Sequence, residues 1–175
     1  IVKEHINFAN YAASSVVAKK GTEPIDKKFV NDFDYKLNKQ KIIGFTNGCF
    51  DVLHIGHLYL IEQSKKYCDY LILGLNSDES IKRIKGKKRP INDESFRMKL
   101  LKSLNLVDEV IIFSEDTPEK LIRKIKPDVL IKGSDYKEEE IVGSSFVKNN
   151  GGKVIRIEFK HNISSSNIIE QIKDS

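Results

Sequence analysis

His54 and His57 stand three residues apart, on either side of Gly56, in the stretch GFTNGCFDVLHIGH at 44–57. Imidazoles so placed can ligate a metal, move protons or donate N–H groups to an anion. The metal reading lacks partners, because no Cys, Asp or third His stands at ligand spacing nearby. A solitary surface histidine is commonplace, but a pair bracketing a Gly behind an apolar run is not its usual form. The anion reading draws on the neighbours. Gly48 permits a tight turn, or close approach of a phosphate to the backbone. Gly56 and His57 would open a helix, whose unpaired N–H groups and positive dipole end favour negative charge. Cations follow at Lys85, Lys88, Arg89 and Arg97, within and after KGKKRPIN. Alone, that run reads equally well as a solvated loop.

Such a pair needs a strand that ends just before it, and KIIGFTN (41–47) reads as that strand. GHLYLIEQSKKYC (56–68) follows as a helix and YLILGLN (70–76) as a strand. NDESFRMKLLKSL (92–104) is helical by the spacing of Phe96, Leu100 and Leu104, with Asn92 or Asp93 as its cap. EVIIF (109–113) is a strand. TPEKLIRKIK (117–126) is a helix with Thr117 at the N-cap and Pro118 at its first position. DVLIK (128–132), SSFVKNN (144–150) closed by Gly151-Gly152, KVIRIEF (153–159) and SSSNIIEQIK (164–173) continue the alternation. The strands are short, rich in Val, Ile and Leu, and mostly not alternating, as where both faces of a parallel sheet are covered. They predict an α/β, Rossmann-like, doubly wound parallel five-stranded sheet in a domain at 41–175. Ligands bind such sheets at the strands' carboxyl ends, where the histidine turn falls. Residues 1–40 read differently: an Ala-rich helical segment, then a charged, loosely amphipathic linker.

Composition narrows the classes. A chain of 175 residues is one domain's worth, long enough for a core. It has no long apolar run and no signal-peptide pattern, so a soluble, cytoplasmic protein without a membrane partner is expected. Cys49 and Cys68 form no CxxC, which predicts reduced thiols. The net charge of +5 comes from lysines interleaved with acids, and fits one local anion pocket better than a nucleic-acid surface. The chain begins at Ile1 and its only methionine is Met98, so a processed chain or a piece of a longer one is expected.

HIGH behind NGCFD resembles the HxGH signature of the cytidylyltransferase-like nucleotidyltransferases. Class I aminoacyl-tRNA synthetases share the motif, but no KMSKS-like loop is present here. KGKKRPIN with Arg97 is similar to that group's triphosphate-holding loop and helix. KGSDY (132–136) resembles its element near the base and ribose, and ISSSNII (163–169) its C-terminal helix start. Taken together, 41–173 looks most like the adenylyltransferase half of the bifunctional heptose kinase/adenylyltransferases of bacterial ADP-heptose synthesis. Many relatives carry Arg where this chain has Ile169. NFANYAASSVVAKK (7–20) resembles the end of a ribokinase-like kinase, which would make 1–40 a remnant of that domain.

The resemblance implies an adenylyl transfer from ATP to D-glycero-β-D-manno-heptose 1-phosphate, giving ADP-heptose and pyrophosphate for lipopolysaccharide core synthesis. It implies catalytic roles for His54, His57, Lys85 and Arg97, without deciding whether Lys85 or Lys88 meets the triphosphate. It implies ATP contacts from Thr46, Asn47, Gly48, Cys49, Phe50, Asp51, Gly56, Lys88 and Arg89. Further ATP contacts come from Lys132, Gly133, Asp135, Tyr136, Ser164, Ser165 and Ser166. The Ser run also reads as a plain N-cap, and Asp51 as a residue that places the turn. Asn76 and Asp78 are assigned to the sugar phosphate. Mg²⁺ is expected with ATP, no protein-held metal is, and a homodimer with a kinase domain on the parent polypeptide is expected. The rival functions are a sister enzyme using CTP or glycerol 3-phosphate, and a non-catalytic nucleotide-binding module.

Overall fold

The computed structural model describes residues 41–134, 137–158 and 164–173; the expected N-terminal segment, Asp135 and Tyr136 lie outside the described residues. The chain runs β1 (Ile43–Gly48), α1 (Ile55–Lys65), β2 (Tyr70–Asn76), α2 (Asp78–Lys85), α3 (Glu94–Lys102) and β3 (Glu109–Phe113). It continues with α4 (Glu119–Ile125), β4 (Val129–Gly133), a 3₁₀ turn (Glu138–Glu140), α5 (Ser144–Asn149), β5 (Lys153–Ile157) and α6 (Ser165–Lys173). All strand pairs are parallel, in the order β3-β2-β1-β4-β5, as the sequence predicts for a doubly wound sheet. The chain builds outward from β1 to β3, then returns to β1's other edge. That reversal opens a crevice over the carboxyl ends of β1 and β4.

Both faces of the sheet are buried, and side chains divide between them with a period of two. Leu71, Leu73 and Leu75 of β2 face one cluster with Leu60 and Ile61 of α1 and Leu101 of α3. Ile72 of β2 faces the other, with Phe45, Leu130, Ile122 of α4 and Val147 of α5. Each such buried side chain contributes about 1.5–3 kcal/mol. Gly74 is required where β1 and β2 touch: a Cβ there would stand 2.7 Å from Phe45 Cζ. Among the described residues no helix is long and apolar enough to cross a membrane, and both cysteines are free thiols.

An aspartate precedes each of β2, β3 and β4, and each ties its neighbour's backbone. Asp69 Oδ2 accepts from Ile42 N at 2.9 Å, Asp108 Oδ2 from Leu71 N at 2.7 Å and Asp128 Oδ2 from Ile43 N at 2.8 Å. The amino edge of the sheet is thus locked in register, while the carboxyl edge is left for ligand chemistry.

Three local points differ from the sequence reading. Helix α2 forms where that reading assigns no element, because Ser77 caps it by accepting from Ser80 N at 3.2 Å and Asp78 and Glu79 occupy its first turn. Helix α4 begins at Glu119 with Pro118 in the cap position, so Thr117 lies one residue outside it. Helix α3 is capped by Asp93, as one of the two candidates, but its inward face is Arg97 and Leu101; Phe96 is 49% exposed.

Candidate active site

Helix α1 differs from the two helices that follow it. Side chains cap α2 and α3 and acids fill their first turns, whereas α1 has His54 at its N-cap, no side-chain cap bond and no acid in its first turn. Its leading N–H groups are left for an outside acceptor. His54 and His57 stack there with ring centroids 3.8 Å apart, and Phe50 tilts against His57 at 5.1 Å. Phe50 takes φ 47°, a left-handed conformation strained for a bulky residue, and its buried ring offsets that cost. A Cβ on Gly48 would press that ring at 3.3 Å.

Burial lowers the His54 pKa. His57 is pushed down to about 3, first by burial, then by the charges of His54 and Lys85. Both imidazoles are neutral at pH 7. The unfolded chain takes up the His57 proton near 6.5 and the fold only near 3, so this contribution to stability is present above 6.5 and declines as pH falls towards 3. Inorganic pyrophosphate should reverse the depression by supplying negative charge at the helix start. The expected result is an upward shift of the His57 pKa in an imidazole NMR titration; an unchanged titration would place the phosphates elsewhere.

Two buried charges hold the loop between α2 and α3 against this turn. Asp51, 1% exposed, accepts from Ile91 N at 2.8 Å and Asn92 N at 2.9 Å, and Asn92 Nδ2 donates to Asp51 O at 2.7 Å. Arg89 Nε stands 2.7 Å from Asp51 Oδ2. The carboxylate is thereby committed to placing the turn, as one of its expected roles. Arg97 is 0% exposed and donates to Asn92 O, Cys49 O, Asn76 O and Asp78 Oδ1 at 2.6–2.9 Å. It joins the ends of β1 and β2, the start of α2 and the basic loop. The expectation of a catalytic Arg97 is corrected accordingly: its guanidinium is committed to protein acceptors, and it positions the residues around it.

The other expected residues divide in the same way. Lys132 Nζ donates to Asn47 O at 3.0 Å. Ser164 Oγ accepts from Asn167 N at 3.1 Å, which is the cap reading, and Ser165 Oγ donates to Val52 O at 3.0 Å, docking α6 on the histidine turn; Ser166 is exposed. Lys85 and Lys88 are exposed, and Gly56 and Gly133 are buried. Asn76 reaches the open crevice, with Nδ2 on Ser80 Oγ at 3.0 Å, but Asp78 does not, because its carboxylate holds Arg97.

Against these committed groups stands a second set. Among the described residues, Thr46 Oγ1, Asn47 Oδ1, His54 Nδ1, His57 Nδ1 and Arg89 Nη2 are buried without a hydrogen-bond partner. Buried polar atoms are nearly always paired, so a cluster of unmet ones around one strand end suits an absent polar ligand. Beside them lies a cavity of about 310 Å³, floored by Asn47, Gly48, Cys49 and Asn76 and flanked by Lys85 and Lys132. The sequence reading gave no ligand role to its outer wall, Asp116–Pro118 and Glu140–Val142, and took Thr117 and Pro118 only as a helix start. These residues lie on the segments that follow β3 and β4.

Comparison with known proteins agrees with this fold. The bifunctional protein HldE of Campylobacter concisus is 44% identical, over 99% of this chain and 40% of its own length. That of Helicobacter pylori strain J99 is also 44% identical, over 98% of this chain and 40% of its own. The chain thus spans about 40% of the length of these curated relatives. A crystal structure of the lipopolysaccharide core biosynthesis protein from Thermoplasma volcanium is 32% identical with a TM-score of 0.58, covering 71% of this chain and 100% of that one. The pantoate-beta-alanine ligase from Francisella tularensis shares the fold at 22% identity and a TM-score of 0.52, over 83% of this chain and 74% of its own. The cytidylyltransferase-like family model matches residues 45–171, from β1 through the histidine turn and into α6, and the chain belongs to that family.

Proposed function

We propose that this domain transfers the adenylyl group of ATP to D-glycero-β-D-manno-heptose 1-phosphate, releasing pyrophosphate and forming ADP-heptose for the lipopolysaccharide core. The observation that carries the reading is the ring of unmet polar atoms around two neutral, stacked histidines at an uncapped helix start. The name of the 32% identical lipopolysaccharide core biosynthesis protein supports a product destined for that core. Since the chain spans about 40% of relatives called bifunctional, we place a sugar kinase on the same parent polypeptide, and both in the cytoplasm, where ATP is available.

The reaction needs little covalent help. A phosphate oxygen of the sugar attacks the α-phosphorus, the bond from that phosphorus to the bridging oxygen breaks, and the electron pair leaves with pyrophosphate. The nucleophile is already an anion at neutral pH, so positioning and charge neutralisation carry the rate. The N–H groups of His54, His57 and the start of α1 would meet the α-phosphate oxygens, and Lys88 and Arg89 the departing pyrophosphate. The described residues bring no three acidic, His or Cys side chains together. Mg²⁺ is expected to accompany ATP, where it would supply neutralisation of the phosphate charge.

Pyrophosphate release, measured with ATP and CTP against a panel of phosphorylated acceptors, tests the proposal. ATP is expected to exceed CTP, and heptose 1-phosphate to exceed hexose 1-phosphates, each by at least about 10² in kcat/KM, because a site built on hydrogen bonds rejects analogues that leave its groups unpaired. Equal or better turnover with CTP and glycerol 3-phosphate would overturn the substrate while leaving the histidine chemistry standing.

A further inference from the structure

We propose that the cavity over the carboxyl ends of β1, β2 and β4 is the sugar pocket, and that Asp116 and Glu140 select the sugar by accepting hydrogen bonds from its hydroxyls. This rests on the adenylyl-transfer reading and adds the residues that distinguish one acceptor from another. At about 310 Å³ the cavity lies at the low end of small-molecule sites (roughly 300–1,000 Å³), with room for one reaction partner and not both.

Its walls suit the polyol better than the nucleotide. Two acidic residues line it, and their carboxylates would repel a triphosphate but accept from O–H groups, since an ionised carboxylate can only accept. Among the described residues no aromatic ring lines it, so a base would find nothing to stack on. Ile84, Pro118 and Ile141 offer apolar surface to the C–H face of a sugar ring. On the floor, Asn47 Oδ1 is a buried acceptor with no donor among the described residues, and a sugar hydroxyl would supply one.

Two features orient the ligand. Lys85 lines the cavity and also stands close enough to His57 to lower its pKa. A 1-phosphate held by Lys85 would present its oxygen towards the histidines with the ring in the cavity. Asp116 is fixed in advance, since Arg83 Nε donates to its Oδ1 at 2.7 Å and Arg83 Nη2 to Ser114 O. The loop after β3 is thus fastened to α2, and the carboxylate needs little ordering when the sugar arrives.

The test uses Asp116→Ala and Glu140→Ala, with Asp116→Asn and Glu140→Gln as conservative partners and thermal melts to confirm folding. Each alanine variant should raise the KM for heptose 1-phosphate at least about tenfold and shrink the preference over mannose 1-phosphate, which lacks one carbinol group. The KM for ATP should stay within about threefold, and the amide variants, which keep an acceptor oxygen, should recover part of the loss. Calorimetric binding of heptose 1-phosphate without nucleotide should weaken in parallel. A wild-type protein that turns over heptose 1-phosphate, with variants that keep its KM or raise only that for ATP, overturns the pocket and leaves the transfer reaction intact. A wild-type protein that neither binds nor turns over any sugar 1-phosphate overturns both.

Discussion

His54→Ala is expected to lower kcat by about 10²–10³, or roughly 3–4 kcal/mol of transition-state stabilisation, with the KM for ATP held within a few fold. The reason lies in where the imidazole sits. It is the N-cap of α1, stacked on His57, and burial keeps it neutral in the free protein. A neutral N–H aimed at the α-phosphate gains most when charge gathers there during transfer, so its loss falls on kcat and little on ground-state binding. Single-turnover measurement of pyrophosphate release separates that step from product loss. Near-normal turnover in a folded variant would remove His54 from the chemistry. His57→Ala should act similarly, and it would also leave a gap against Phe50.

Arg97→Met should have the largest effect on stability, a loss of about 3–5 kcal/mol, as when one member of a buried ion pair is removed. It would leave the Asp78 carboxylate unpaired and strip a donor from the carbonyls of Cys49, Asn76 and Asn92. Arg97→Lys should recover only part of the loss, because a single ammonium cannot reproduce the fork that reaches acceptors on separate segments. Urea denaturation at fixed pH gives the size, and activity normalised to the folded fraction gives the role. A variant as stable as the parent with a tenfold higher KM for ATP would return Arg97 to the ligand-binding residues.

The two predictions also mark where the sequence was legible. Strands β2 and β3 end where their apolar runs end, and the histidine turn falls at the strand end that parallel topology requires. Those features are local, carried by period, composition and spacing. Helix α2 was missed because DESIKRIK has only two apolar residues, one of them half exposed; the signal present was Ser77 followed by two acids. Arg97 was read as a site cation because a helix sequence does not show which distant carbonyls a buried guanidinium reaches. The same limit hid Asp116 and Glu140. They converge only after β3 and β4 have taken opposite sides of β1, and no spacing along the chain encodes that meeting. The aspartates before β2, β3 and β4 were visible as residues, but which strand each one holds follows from the sheet order.

The place of β1 between β2 and β4 also bears on how the domain comes together during synthesis. One edge of β1 can pair soon after it is made, with the next strand in sequence. The other edge must wait for β4: the Ile43 N–H meets the Asp128 carboxylate across 85 residues, and the Val52 carbonyl meets Ser165 across 113. Closing such long loops is entropically costly and slow compared with forming a helix. Until then a nascent chain carries an apolar strand with an open edge, the kind of surface on which a second chain can add. The histidine turn is therefore among the first parts of the domain to emerge and is finished late, because the helix that docks on it follows all five strands of the sheet along the chain.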